Sequence, residues 1–326
     1  MALTPDTAAE HFFARVDMNG KLGLDSPTAL WNWALNGGSS ALKGRQPLPT
    51  GSQVVYRGQA KAGYGLTSSL YRLCRRALPG GVGEKRLAEV ETMVINAMRE
   101  EGIGRRMSDG QLLSVLQHHG VPTRLIDFSS EALEALYFAV ENYDTVDGRL
   151  FVVSAHGRNR SLTIDLDFSP HGDRQLRWSD HARGDKYAAD AWTQTVALVD
   201  PKDLDPRMIA QRGVFLVGGL NRRSAGRSMR VKVAGQSRPV ELERSLYPDV
   251  TTLGINFVTT VRNPHQSWPA TGWTIRIPGS WKPELRKHLE TVSDSIRRDT
   301  MYPPVDEVWR LANYAVLENL TRGSRG

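Results

Sequence analysis

A single cysteine, Cys74, stands in 326 residues. That excludes an internal disulfide and any metal centre built from several thiolates, and it fits a reducing, cytoplasmic setting. Long apolar runs are missing too. Nothing approaches the roughly 18 uninterrupted apolar residues of a membrane helix, so no membrane association is expected. The opening stretch, MALTPDTAAEHFFARVD, carries acids and no basic segment leading into an apolar core, and does not read as a secretory signal. P-loop, GxGxxG, GxSxG and HExxH patterns are also absent. The commonest nucleotide-binding and hydrolase signatures therefore supply no answer.

What is present suits a sizeable core. Hydrophobic residues make up 40% and charged residues 24%, an ordinary globular balance. The net charge is +7. Basic residues gather at Arg72–Arg76, Arg105–Arg106, Arg158–Arg160, Arg222–Arg230 and Arg297–Arg298, with Trp178 and Tyr187 among charges in RWSDHARGDKY. Such clusters attract phosphorylated ligands, DNA or RNA. A mildly basic soluble protein is the plainer reading of the same numbers.

Periodicity places helices over 6–19, 26–36, 84–101, 108–118 and 130–142. Ser26 and Pro27 suit an N-cap and first turn, and Ser108-Asp109 a second cap. In 84–101 the expected apolar face is Leu87, Val90, Met93, Val94 and Ala97. QVVYRGQ is a strand, after a Gly/Ser/Pro-rich connection at 37–52. Beyond Asp147-Gly148, strand-like runs follow: RLFVVSA, QTVALVDP, GVFLVGG, MRVKVA, GINFVTTVR and GWTIRIP. Helices return at 280–298 and 305–319. The expected class is α+β: a helical N-terminal part, 1–50, then a mixed β core with flanking helices over 51–326.

The densest chemistry lies in QLLSVLQHHGVPTRLIDFSSEALEALYFA, residues 111–139. His118 to Asp127 hold two histidines, a Gly-x-Pro turn, an arginine and an aspartate between apolar segments. Charge between buried elements must be paired or used. The stretch is either a buried ion-pair buckle or the wall of a pocket for a charged ligand. Thr123–Asp127 reads as a short strand with Thr123, Leu125 and Asp127 on one face and Arg124 on the other. In the buckle reading Asp127 caps the next helix and Arg124 pairs with a core carboxylate. Adjacent histidines seldom chelate one ion, so no metal site is assigned. Arg57 ends a strand, and Gly58 after it permits close backbone approach. Its planar fork suits phosphate or carboxylate. Gln211 precedes a Gly-initiated apolar strand, where an amide can bond a ribose hydroxyl. Arginines around Cys74 would lower its thiol pKa, but no Cys–His pair is evident.

Together these motifs resemble the FRG domain, named for its Phe/Trp-Arg-Gly signature. Tyr56-Arg57-Gly58-Gln59 and Leu66–Arg72 (LTSSLYR) match its start. Gln117–Ser129 match its QHHGxPTRLLDWT run, with Ile126 for Leu and Phe128 for Trp. Leu133–Ala139 match LxALYFA, Ala210–Phe215 match AQxGxF, and Tyr302–Asp306 match a late aromatic-Pro-Asp stretch. FRG domains are similar to ADP-ribosyltransferases in what has been thought of them, and occur near bacterial and phage defence or toxin genes. The resemblance implies an ADP-ribosyltransferase-like fold and NAD as substrate. By analogy Arg57, with Gly58 and Gln59, meets the pyrophosphate or nicotinamide ribose. Thr123 and Arg124 lie on a neighbouring strand, and Phe128 or Tyr137 stacks on nicotinamide. Gln211 stands where that fold has a glutamate, and a glutamine carries no negative charge. Asp127 or Glu131 then supplies the carboxylate, and His119 takes a proton from an acceptor. The implied activity is an ADP-ribosyltransferase or NAD glycohydrolase acting as a toxin or antiphage effector, with a toxin/antitoxin or defence-system partner. The competing implication is a non-catalytic nucleotide- or nucleic-acid-binding module.

Overall fold

The structure is a computed structural model that describes residues 3–38, 52–78, 81–155, 196–200, 211–220, 229–233, 235–260, 270–292, 296–297 and 301. The expected helix at 305–319, the late motif at 302–306 and RWSDHARGDKY lie outside the described residues.

The first helices are α1 (Pro5–Arg15), α2 (Asn19–Leu22) and α3 (Pro27–Leu35). Strand β1 (Gln53–Gln59) leads to α4 (Ser69–Ala77), α5 (Glu84–Glu100) and α6 (Asp109–His118). Then come β2 (Ile126–Ser129), α7 (Ala132–Val140), β3 (Gly148–Ala155), β4 (Val196–Val199), β5 (Gly213–Gly218), β6 (Arg230–Val231) and β7 (Val240–Glu241). The described chain continues with α8 (Tyr247–Val250), β8 (Ile255–Phe257), β9 (Ala270–Ile277) and α9 (Lys282–Val292). Helices followed mainly by strands is the α+β order expected from the sequence. No helix among the described residues is long and apolar enough to cross a membrane.

Seven strands form one sheet in the order β4-β5-β2-β1-β3-β9-β8, antiparallel except for β8 beside β9. Both faces are covered, as strand alternation dictates. On β3, Phe151 and Val153 face one core with Phe12 and Phe13 of α1 and Phe257 of β8. Leu150 and Val152 face the other, with Leu136 of α7, Trp31 of α3 and Leu285 of α9. Trp31, at 6% exposure, stacks on His288 with centroids 5.2 Å apart. That is core packing.

Two expectations change. Helix α5 buries Glu84, Leu87, Ala88, Glu91 and Ile95, while Met93 is 64% exposed. The helix is rotated so that two carboxylates face inward, where Arg124 meets them. The expected strand at Thr123–Asp127 begins only at Ile126. Thr123 is already committed to α4: its N–H donates to Ser69 Oγ, and its carbonyl accepts from Leu70 N–H. Those backbone groups are therefore unavailable to a sheet ladder.

Candidate functional site

Strands β1 and β2 are joined at one position, Tyr56 opposite Ser129. Beyond it they separate, whereas β1 pairs with β3 along its full length. A side chain bridges the split. Arg57 Nη1 donates to the Asp127 carbonyl oxygen at 2.5 Å and lies 3.6 Å from Asp127 Oδ2. The Arg57 side chain is 21% exposed and that of Asp127 is 48% exposed. Arg57 and Gln59, two apart on β1, belong to the same face; Gly58 between them faces α7. A Cβ on Gly58 would stand 1.8 Å from the Ala135 carbonyl oxygen, so this position needs glycine for α7 to pack.

A cleft of about 1090 Å³ opens here. Its wall includes Arg57, Gly58 and Gln59 of β1, Gln117 and His118 of α6, and Asp127 to Ser129 of β2. Gln211 and Phe138 also border it. Sequence reasoning did not anticipate three cationic side chains of α4 on this wall, Arg72, Arg75 and Arg76, or Asp249 of α8. The RLCRR run gave a signal for the arginines. Spacing of three and four residues puts them on one helical face. No local pattern announces Asp249.

A one-way hydrogen-bond chain aims Asp127. Leu125 N–H donates to Thr123 Oγ1 at 3.1 Å, and that hydroxyl donates to Gln117 Oε1 at 2.7 Å, the orientation set by the Asp127 carboxylate, which can only accept. The Gln117 amide nitrogen donates to Asp127 Oδ2 at 2.8 Å. Thr123 is fully buried and acts through this chain; it does not line the cleft.

Arg124 is also away from the cleft wall. It is buried between Glu84 Oε1 at 2.6 Å and Glu91 Oε2 at 3.0 Å. Those carboxylates hold its pKa up against burial, which is the largest influence and pushes it down. Glu84 additionally accepts from Leu220 N–H at 2.7 Å. This is the buckle reading of Arg124.

Other sequence candidates are redistributed. His118 lines the cleft, whereas His119 is the exposed C-cap residue of α6. Phe128 borders the cleft from a 3% exposed position, and Phe138 stands at the wall where Tyr137 was expected. Tyr137 packs edge-on against Phe138 at 5.5 Å. Glu131 is off the wall and pairs with Arg212 at 3.2 Å. Gln211 reaches the cleft, but its Nε2 donates to the Met301 carbonyl at 2.6 Å.

The cations crowd one another. Burial lowers the Arg57 pKa, opposed by Asp127. Burial lowers that of Arg72, and Arg57 and Arg76 lower it further by like-charge repulsion. An anion entering between them would relieve that repulsion. Cys74 is buried, and burial raises its thiol pKa despite nearby Arg86, so the expected depression is reversed.

Residues 52–148 match the family model of the FRG domain. No curated protein and no solved structure matches the chain. The matched segment runs from the strand bearing Arg57, through the chain that aims Asp127, to the start of β3, and this FRG-like segment supplies Arg57, Gln117 and Asp127 to the cleft wall.

Proposed function

We propose that the cleft binds NAD and breaks its nicotinamide–ribose bond, in an ADP-ribosyltransferase-like arrangement. The observation that carries this reading is the pairing of a guanidinium and a half-exposed carboxylate, 3.6 Å apart, in one cleft of dinucleotide size. Arg57 and Arg72 receive the pyrophosphate, whose charge offsets their mutual repulsion. As the C1′–N bond breaks, its electron pair leaves with nicotinamide and the ribose becomes an oxocarbenium ion. Asp127 stabilises that cation from a position already fixed by Gln117. Gln211, neutral and engaged with Met301, leaves the carboxylate role to Asp127.

The new bond forms from C1′ to an acceptor oxygen or nitrogen, which gives up a proton. Water as acceptor yields ADP-ribose; a nucleic acid, favoured by the net charge of +7, yields an ADP-ribosylated strand. His118 is the histidine within reach of the cleft for that proton. Loss of NAD or marking of nucleic acid would make the protein a toxin or antiphage effector.

The test is incubation of the full chain with NAD, alone and with DNA, RNA or cell lysate, following nicotinamide release. Release supports the reading. Intact NAD under every condition, together with binding that weakens steeply with salt, would favour a non-catalytic binding module. The neutral amide at Gln211 is the observation that keeps this second reading in view.

A further inference from the structure

One part of the cleft has no role in the bond-breaking chemistry. It lies where the loop after β1 runs beside α8. Leu66 forms a parallel bridge with Thr251, donating its N–H to the Val250 carbonyl at 2.9 Å and accepting from Thr252 N–H at 3.1 Å. Gly65 is pressed so close that a Cβ there would stand 2.1 Å from the Asp249 carbonyl oxygen. Gln59 Nε2 donates to the Gly65 carbonyl at 3.2 Å. The Gln59 side chain and the Asp249 backbone thus both meet Gly65, and all three residues border the cleft.

Each of these two side chains has one atom committed and one left over. Asp249 Oδ1 accepts from Tyr71 Oη at 2.8 Å and from Arg75 Nε at 3.3 Å. Burial, then Asp249 itself, pushes the Tyr71 pKa up, so the phenol keeps its hydrogen as the donor. Among the described residues, Asp249 Oδ2 and Gln59 Oε1 have no hydrogen-bond partner. The Gly65 carbonyl requires the amide nitrogen of Gln59, so the leftover atom is an acceptor. Asp249 and Gln59 are 8% and 9% exposed. Buried acceptors are seldom left unmade.

The missing ligand group must bring hydrogens to two acceptors at once. Phosphate has acceptor oxygens and would meet the Asp249 carboxylate. A cation gains little, because Arg75 already offsets that charge. Neighbouring neutral hydroxyls fit both. We propose that Asp249 and Gln59 form a hydroxyl-reading subsite that takes the vicinal diol of a ribosyl group. This rests on the nucleotide reading of the cleft and adds the sugar contact that reading lacks.

The test is calorimetric titration of the full chain with ADP-ribose and two analogues, each lacking the 2′-hydroxyl of one ribose. The expected result is a loss of affinity of at least about tenfold for one analogue, since an unpaired buried acceptor penalises the ligand that lacks its hydroxyl. Asp249→Asn and Gln59→Ala should each narrow that discrimination to about threefold or less. Equal binding of all three ligands to the unaltered chain would overturn the subsite and leave the nucleotide reading standing. Absence of ADP-ribose binding would overturn both. The analogue comparison needs no variant, so a folding defect in Asp249→Asn does not affect it.

Discussion

Asp127 takes its direction from two uncharged residues, Gln117 on the cleft wall and Thr123 buried behind it. The Asp127 carboxylate can only accept, so Gln117 donates its amide N–H there and turns its Oε1 to accept from Thr123, whose hydroxyl also accepts from Leu125 N–H. Gln117→Leu should therefore slow nicotinamide release by about tenfold or more through misplacement of the carboxylate. The melting temperature should fall by several degrees, because the bond to Asp127 and the bond from Thr123 are both lost. Thr123→Val should slow release similarly and also cost about 1–3 kcal/mol, leaving Leu125 N–H buried without an acceptor. Steady-state release and thermal melts check both. The run of ionisable residues was legible in QHHGVPTRLID, and so was the choice between buckle and pocket. The structure divides the answer: Arg124 is buckle, while Gln117, His118 and Asp127 face the cleft. Alternation of side chains gave the wrong partition because Thr123 and Arg124 precede the strand.

At the scale of elements, α5 is fastened to the segment before β2 by one guanidinium and two carboxylates. Removing the guanidinium takes from the buried Glu84 and Glu91 the charge that pairs with both. Arg124→Met should cost about 3–5 kcal/mol in denaturant unfolding. Replacing all three with apolar residues of similar volume should cost far less, since the desolvation of each ion disappears with it. The rotation of α5 was illegible for the same reason: hydrophobic periodicity cannot see a face that buries glutamates. Caps were legible. Ser26 accepts from Ala29 N–H at 3.2 Å and Ser108 from Gln111 N–H at 3.2 Å, as short hydroxyl side chains before helices suggest. A different tie joins α9 to the turn after α7, where Arg286 grips Asp144 through both oxygens at 2.7 and 2.6 Å. The Arg286 hydrogen bonds hold the Asp144 pKa below the usual carboxylate value. The contribution of that lowered pKa to stability is full above the ordinary carboxylate pKa and is lost as pH falls through the folded value. Asp144→Asn should accordingly flatten the acid limb of a stability–pH curve and leave neutral unfolding little changed, the pair being at the surface.

The whole molecule supplies what no segment could announce. The strand order puts β2 beside β1 although α4, α5 and α6 intervene in sequence, and that adjacency brings Asp127 to Arg57. Asp249 arrives from α8, far along the chain, through the parallel contact of Leu66 with Thr251. Contacts of that separation leave no periodic trace, which is why Asp249 went unread while Asp127 did not. The α+β class was legible from the order of helical and strand-like runs; the split between β1 and β2 was not, because it depends on a side chain replacing a ladder hydrogen bond. In the proposed cleavage of NAD, Arg57 acts on binding and Asp127 on bond breaking. The most direct test is the rate of nicotinamide release by Asp127→Asn at saturating NAD, beside calorimetric binding of ADP-ribose by the same variant. Release should fall by at least about a hundredfold with affinity changed by less than about tenfold, the signature of an interaction made in the transition state. Release at the rate of the unaltered chain would contradict that role for Asp127.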